Sequence, residues 1–525
     1  MGSVDFFSTG AIIVQGRVKL KGLRAIFKKI ISFMLVVTLF IVNTTPVLAA
    51  DESDEAINEE IIYDILVDRF NNGNQKHSDQ IRLDDPYAFH GGDIEGIIMK
   101  LDSLKELGYT TLSLSPIIEN AENGYHGYWI EDFYKVDEQF GTMEDLKRLV
   151  DEAHKRDMKV ILELVTNYVS ETHPIVAEPE KEDWLDEDKA KPVDDYPWLE
   201  NVVSLNQENP EVEKYLMDIA DFWLEEADID GYKLHAADQA SPSFLKKLAD
   251  HIKEKKNDAY IIADVLINDS SQLNEIESIQ LVKNPELFES LADVFSKEDM
   301  PVSEIFEAWE SSDNDANLLY VDDKYTKRFT QRFSEKGRNK VTAWTLALTY
   351  MYTSPGVPLI YQGSEIPEYG EGVPDNQKMV NFNSGDEDLT EFIERISALR
   401  EEFPPLTHGD FEMLGSDEGM SVFKRTYQDE SVYVAINNDS ESRSLSIESL
   451  GEDKQLRGLL GDNLVREDKN GDFRIGIPRE SAEVYIVEDN TGINWFFIVP
   501  IIAVFIIFVV SVIYLSRKQK AREQQ

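Results

Sequence analysis

The segment Gly231-Tyr232-Lys233-Leu234-His235-Ala236-Ala237-Asp238-Gln239 opens with a short apolar run that ends in a histidine. A run of this length is typical of a strand buried on both faces of a parallel sheet. Five further segments share the pattern, namely residues 61–67, 110–115, 160–165, 260–265 and 358–361. We predict a buried parallel strand at each of these six positions.

Amphipathic helical stretches alternate with these strands. Their apolar residues recur every three or four positions, in residues 93–107, 142–156, 210–227, 241–255 and 340–352. Repeated strand–helix units of this number favour an α/β fold of the (β/α)8 TIM-barrel type, here over residues 55–400. An acidic, proline-containing stretch after the third strand predicts an inserted excursion at the C-terminal face of the barrel, residues 168–201.

The pattern changes beyond Phe403 to alternating runs separated by turn residues. Residues 421–425, 431–437 and 483–487 have this period of two. We therefore predict a C-terminal antiparallel β-sandwich domain over residues 401–489.

Composition restricts the kinds of partner. The chain has 525 residues, with 100 acidic and 52 basic side chains, and a formal charge of -48. Nucleic-acid phosphates need lysine and arginine, so we expect no nucleic-acid partner. The absence of cysteine excludes disulfides, thiolate metal sites and a cysteine nucleophile.

The two ends of the chain predict that the protein is located at a membrane. Basic residues precede the apolar run 30–42, and small residues follow, which predicts a signal peptide over residues 1–49 cut after Ala49. An uncleaved anchor is the alternative. Near the other end, residues 494–516 are apolar enough for one transmembrane helix, and the basic tail 517–525 is then cytoplasmic. We expect a single-pass cell-membrane protein with an extracellular body.

Several segments resemble, in order, the motifs of the α-amylase family of glycoside hydrolases. They are residues 62–70, 91–97 with 104–108, 125–129 with 140–142, 231–239, and 354–363. The resemblance covers roughly residues 60–488 and implies a (β/α)8 barrel, an α-glucan partner and a retaining mechanism. That mechanism needs a carboxylate nucleophile and a carboxylic acid about 5–5.5 Å apart.

The family's three catalytic positions are altered here. His235 stands where the family has its nucleophilic Asp, Asp264 where it has the acid Glu, and Tyr325 where it has the third carboxylate. Shifting the alignment by two residues would give the third place to Asp323. The substitutions predict a barrel mouth that lacks the acidic groups needed to cleave an acetal.

This loss implies a catalytically inactive pseudo-glycosidase that binds a glycan or is a scaffold for a membrane-protein partner. The alternative is an active α-glucan hydrolase or transglycosylase with altered residues. His235 itself has three interpretations: a new nucleophile, a metal ligand or a core residue. Tyr325 has a precedent as a nucleophile, because sialidases use a tyrosine.

The resemblance also implies binding residues. Lys233 replaces a supporting Arg and Glu163 replaces an Asp, while the sugar-subsite residues His126 and Tyr128 are kept. We expect these four side chains to contact a substrate, with a purely structural role as the alternative. Oxygen ligands after the first strand predict a calcium site, with a plain turn as the alternative: Asn72, Asn74, Gly91 and Asp93. No other cofactor is expected.

Overall fold

The computed structural model describes residues 56–77, 80–186, 196–266, 271–311, 317–451, 453–490 and 495–523. The predicted signal peptide lies outside these residues.

Eight parallel strands close into a barrel. They are β1 (Ile62–Ile65), β2 (Thr111–Leu114), β3 (Lys159–Leu164), β4 (Gly231–Leu234), β5 (Tyr260–Ala263), β6 (Leu281–Lys283), β7 (Asn317–Leu319) and β8 (Val357–Tyr361). Each strand pairs with the next in chain order, and β8 pairs with β1. The predicted (β/α)8 barrel is confirmed. Strands β6 and β7 carried no prediction, because three residues are too short to show a pattern.

Helices connect the barrel strands. They are α1 (Ile94–Ile98), α2 (Leu101–Glu106), α3 (Met143–His154), α4 (Pro210–Ala227), α5 (Pro242–Lys255), α6 (Pro285–Ser296), α7 (Ser303–Ser311), α8 (Phe329–Ser334), α9 (Lys340–Thr353), α10 (Glu387–Glu402) and the short α11 (Pro405–His408). Helix α4 has the predicted bounds. It begins where Asn209 accepts a hydrogen bond from the backbone N–H of Glu211 and proline follows, which is a favourable helix start. The single helix predicted over residues 93–107 is two helices.

Gly231 fixes the spacing between β4 and β5. Its φ is +151°, and a Cβ at this position would lie 2.0 Å from the carbonyl oxygen of Tyr260. A side chain would therefore force the two strands apart.

The excursion after β3 and the C-terminal region are both β-structures. In the excursion, Tyr168–Ser170 pairs antiparallel with Val202–Ser204. The C-terminal strands are β9 (Asp410–Asp417), β10 (Met420–Tyr427), β11 (Glu430–Asn437), β12 (Arg443–Ile447), β13 (Lys454–Gly458), β14 (Leu464–Arg466), β15 (Phe473–Ile477) and β16 (Ser481–Asp489). They form a six-stranded antiparallel sheet, β9-β10-β11-β16-β13-β14, and a two-stranded sheet, β12-β15, that share one apolar core. The predicted antiparallel domain is confirmed.

The last helix is α12 (Trp495–Glu523). Its stretch Ile498–Lys518 is long and apolar enough to cross a membrane, judged by length and composition only, and none of it is buried in protein. Such a helix alone is weak support for a membrane anchor.

Candidate functional site

The structure brings the three predicted catalytic positions together at the carboxyl ends of the barrel strands. His235 follows β4, Asp264 follows β5, and Tyr325 lies in the loop after β7. The Tyr325 hydroxyl donates to Asp264 Oδ2 at 2.9 Å and lies 3.4 Å from His235 Nδ1. The motif spacing therefore located one site correctly.

Glu163, on β3, is at the centre of this site. Its Oε1 lies 2.8 Å from His235 Nδ1, and its Oε2 pairs with the ammonium groups of Lys324 and, at 3.3 Å, Lys233. Burial alone would raise the pKa of Glu163. The charges of Lys324 and Lys233 and the hydrogen bond with His235 outweigh burial and hold this pKa well below its usual range. Glu163 is therefore an ionised carboxylate.

A second ion-paired group lies beside it. Lys283, the last residue of β6, is 2.9 Å from Asp264 Oδ1 and donates to Asp323 Oδ2 at 2.6 Å. The other oxygen of Asp323 accepts the backbone N–H groups of Tyr325 and Thr326, each at 2.9 Å. Burial acts to lower the pKa of Lys283, but the two carboxylates raise it well above its usual range. Asp323 thus binds Lys283 and the backbone of the loop at Tyr325 and Thr326, and it does not occupy the third catalytic position.

The third lysine reaches across the barrel. Lys233 pairs with Asp64 on β1, whose Oδ1 also accepts the Ser113 hydroxyl at 2.7 Å. Burial favours neutral forms of both partners. Even so, their mutual attraction raises the pKa of Lys233 and lowers that of Asp64. Lysine cannot offer the bidentate contact of an arginine, but here it joins Asp64 and Glu163.

We call these eight side chains the mouth network: Asp64, Glu163, Lys233, His235, Asp264, Lys283, Asp323 and Lys324. None of them is more than 4% exposed. The expectation that the mouth lacks acidic groups is wrong, because four carboxylates converge there. Three lysine ammonium groups pair with these four carboxylates, so most of the anionic charge is compensated within the protein.

Aromatic side chains cover the network. The Tyr128 ring stacks on the His235 ring with centroids 4.3 Å apart, and its hydroxyl donates to Glu163 Oε1 at 2.9 Å. The Tyr168 hydroxyl is 2.5 Å from His235 Nε2. Trp198, from the excursion, lies against the Tyr325 ring with centroids 5.5 Å apart. These rings pack against His235 and against one another, and the hydroxyls of Tyr128 and Tyr325 contact the carboxylates of Glu163 and Asp264.

The predicted sugar-binding residues are directed inwards. His126 is 4% exposed and Tyr128 is 1% exposed, and the His126 Nδ1 accepts the backbone N–H of Tyr128 at 3.0 Å. Burial, with smaller effects of Arg69 and His235, lowers the pKa of His126 to about 3. Substrate contacts by His126, Tyr128, Lys233 and Glu163 stay predictions, and each of these side chains already has a partner within the protein.

The predicted calcium loop has a different arrangement from a cation site. The Asp93 carboxylate accepts backbone N–H groups of Gly73, Asn74 and Gly96 at 2.6–3.2 Å. Amide hydrogens thus point at the oxygens that a cation would need. Gly91 donates its own N–H to Asp68 at 3.0 Å, and Asn72 is its neighbour in the loop. The calcium site stays a prediction.

Sequence analysis gave no role to three members of the network. Asp64 lies within the first motif, residues 62–70, but was given no function there, Lys283 lies outside every motif, and Lys324 precedes Tyr325 without a function of its own. A lysine at the end of an apolar strand, as in Leu281-Val282-Lys283, was the available signal. Buried charges are rare unless they are paired.

Comparisons with known proteins agree with this fold. Residues 64–199 and 196–402 match the alpha amylase catalytic domain, and residues 409–485 match the alpha-amylase C-terminal domain. A cyclomaltodextrinase of Geobacillus thermopakistaniensis (strain MAS1) is 28% identical over 471 residues, which cover 83% of this chain and 78% of that protein.

Solved structures show the same similarity. An Anoxybacillus α-amylase is 39% identical with a TM-score of 0.78, and a Geobacillus thermoleovorans α-amylase complexed with acarbose is 38% identical with a TM-score of 0.77. Each similarity covers 83% of this chain and 99% of the other.

Proposed function

We propose that this chain, which belongs to the α-amylase family, is a protein of carbohydrate metabolism that no longer hydrolyses glucans and acts as a scaffold anchored at the cell surface. One observation carries this proposal. Each carboxylate of the mouth network pairs with a buried lysine or has its remaining oxygen held within the protein.

The chemistry of the reaction explains why this pairing matters. A retaining glycosidase needs one free carboxylate to attack the sugar and one protonated acid to donate to the leaving oxygen. Glu163 is ionised and already bound by Lys324 and Lys233. A sugar ring would also have to displace Tyr128 and Tyr325. The network therefore supports a structural role for these residues.

The location is part of the same proposal. Arg517, Lys518, Lys520 and Arg522 follow the apolar stretch of α12, and such residues are retained on the cytoplasmic side. The barrel is then extracellular. Glycan binding at the mouth would require this region to open, whereas a scaffold for a membrane-protein partner would not. Scaffolding is therefore the favoured role.

The direct test is hydrolysis by the full chain in detergent micelles. Maltooligosaccharides and a cyclomaltodextrin are supplied, with the Geobacillus thermoleovorans α-amylase as positive control. We expect no reducing sugar above the blank. Reducing sugar that disappears in Asp264→Asn, but not in the matched variant Asp102→Asn on the exposed face of α2, would refute the proposal.

A second candidate is a hydrolase that uses new residues. Its support is that ligand atoms of Glu163 and Asp264 lie within 4.8 Å of each other, near the separation of about 5–5.5 Å in retaining enzymes. This candidate predicts a covalent adduct on Glu163 after incubation with an activated fluoroglycoside. Peptide mapping by mass spectrometry detects the adduct, and its absence counts against this candidate.

Restoring the family's residues tests how far the loss extends. We expect the triple variant His235→Asp, Asp264→Glu, Tyr325→Asp to remain inactive in the same assay. The reason is that Lys233 and Lys324 still occupy Glu163, and Tyr168 still stands in a supporting position. Activity equal to that of the positive control would show that the lysines do not block the mouth.

A further inference from the structure

Four side chains at the centre of the mouth network direct metal-ligating atoms towards one point. They are His235 Nδ1, Glu163 Oε1, Asp264 Oδ2 and the Tyr325 hydroxyl oxygen. Their types combine one imidazole nitrogen with carboxylate and phenol oxygens, which suits first-row transition metals such as zinc.

The separations between these atoms fit a small coordination shell. His235 Nδ1 is 2.8 Å from Glu163 Oε1 and 3.9 Å from Asp264 Oδ2. The Tyr325 oxygen is 3.4 Å from the first two atoms and 2.9 Å from the third. Tetrahedral zinc, with bonds of about 2.0–2.2 Å, holds its ligand atoms about 3.3–3.6 Å apart. To reach this spacing the 2.8 and 2.9 Å pairs would open by about 0.4–0.8 Å and give up their hydrogen bonds, and the 3.9 Å pair would close by about 0.3–0.6 Å.

Side chains behind these four ligands hold them in position, as the hydrogen-bond partners of metal ligands do in known metal sites. One oxygen of each carboxylate faces the other ligand atoms, while a lysine holds its second oxygen. The Glu163 oxygen at the centre also accepts the Tyr128 hydroxyl at 2.9 Å, and this hydrogen bond would have to give way to the ion. Lys324 and Lys233 hold Glu163 Oε2, and Lys283 holds Asp264 Oδ1. On the imidazole, Nε2 contacts the Tyr168 hydroxyl at 2.5 Å, which leaves Nδ1 for the centre. Partners of this kind fix ligand orientation and tautomer in known sites.

The charge of the network also favours a cation. Four carboxylates face three lysine ammonium groups, so the lysines leave one carboxylate charge unmatched. An uncompensated charge at this depth is costly. The lysines repel an incoming cation. The attraction of Glu163 Oε1, Asp264 Oδ2 and the His235 imidazole for the cation must therefore outweigh that repulsion.

We propose that His235, Glu163, Asp264 and Tyr325 form a binding site for a first-row transition-metal dication, with zinc as its probe. The inference is independent of whether the protein hydrolyses glucans. Since the ligands are buried, the ion is acquired while the chain folds and is held inside it.

The test measures metal content in the full chain, expressed in zinc-supplemented medium and purified through a tag without histidine. Mass spectrometry of the elements should find about one zinc per folded chain. We expect His235→Asn and Asp264→Asn to lose most of it. The matched control, His173→Asn, changes a buried histidine of the excursion and should retain the ion. Zinc-free wild type, or equal zinc in all four proteins, overturns the proposal.

A second measurement covers variants that fail to fold. Wild-type protein is treated with a chelator and followed by thermal unfolding. A buried ion should leave slowly and lower Tm, and zinc present during refolding should restore Tm. Rapid loss of zinc without a change in Tm would identify a surface ion and overturn the proposal. Hydrolysis is assayed on both forms, so an active zinc form refutes the scaffold while it leaves the metal site intact.

Discussion

The two ends of the barrel use similar ion pairs in opposite surroundings. At the mouth, Lys324 and Glu163 are 2% and 0% exposed in their side chains. At the amino ends of β1, β2 and β3, Lys159 pairs with Glu60 at 2.6 Å beside a cavity of about 370 Å³, and the Lys159 side chain is 41% exposed. Active sites of (β/α)8 enzymes lie at the carboxyl end of the strands. Among the residues that the structure describes, the charged groups at that end are buried and paired, and a cavity lies at the other end.

The comparison shows that the contribution of an ion pair to the free energy of unfolding depends on where the pair lies. Breaking a buried pair leaves a charge that water cannot reach, while a pair near water can be rehydrated. The mouth should therefore dominate the stability of the barrel, and the amino end should tolerate change.

Lys324→Met should have the largest effect. It leaves Glu163 buried with Lys233 as its remaining ammonium partner, so we expect the free energy of unfolding to fall by about 3–5 kcal/mol. Urea unfolding of the full chain in micelles measures this loss. The matched control, Lys214→Met, breaks an exposed pair with Asp218 on α4 and should cost about 0.5 kcal/mol or less. Equal losses in the two variants would mean that the mouth is accessible to water.

Glu365→Gln should have the next largest effect, and only at high pH. Glu365 lies in the loop after β8, where its Oε1 accepts the Tyr63 hydroxyl at 2.7 Å. Burial raises its pKa from 4.5 to about 7. The folded state therefore binds the proton more tightly than the unfolded state, and wild-type stability falls as pH rises from 4.5 to 7.

Glutamine removes this dependence. We expect Glu365→Gln to be more stable than wild type by about 3 kcal/mol at pH 8 and nearly equal to it at pH 4.5. Urea unfolding at the two pH values measures the difference. A gain of the same size at both pH values would show that titration of Glu365 is not its cause.

Lys159→Met should have the smallest effect of the three. Glu60 keeps hydrogen bonds from the hydroxyls of Thr111 and Tyr260, at 2.7 and 2.8 Å. Glu60 lines the adjacent cavity and its side chain is 6% exposed, so water can approach it more readily than it can approach Glu163, whose side chain is 0% exposed. We expect a loss of about 1 kcal/mol in the same urea experiment. A loss as large as that of Lys324→Met would remove the contrast between the two ends.

The fold was largely predictable because its signals are local. Apolar runs and helical spacing identified six barrel strands and the bounds of α4, while β6 and β7 were too short to recognise. The position of the site was predictable as well, because residues that follow parallel strands, such as His235 and Asp264, meet at one end of a barrel.

The state of the site was not predictable from the motifs. Lys324 and Glu163 are 161 positions apart, and no local pattern records their contact. The motif comparison examined positions where the family has carboxylates and found substitutions. It did not identify Asp64 as an additional acidic group, and it offered Asp323 only through a shifted alignment. It gave no role to Lys283, the cation that pairs with Asp323 and Asp264.

The tight approach at Gly231 has a consequence for how such a protein can evolve. Any replacement there pushes one strand into its neighbour, so selection for folding alone preserves the glycine. His235, four positions later, experiences no such backbone constraint. Residues at the rim of the barrel can therefore change while the wall is kept, and the match to the alpha amylase catalytic domain extends over residues 64–199 and 196–402.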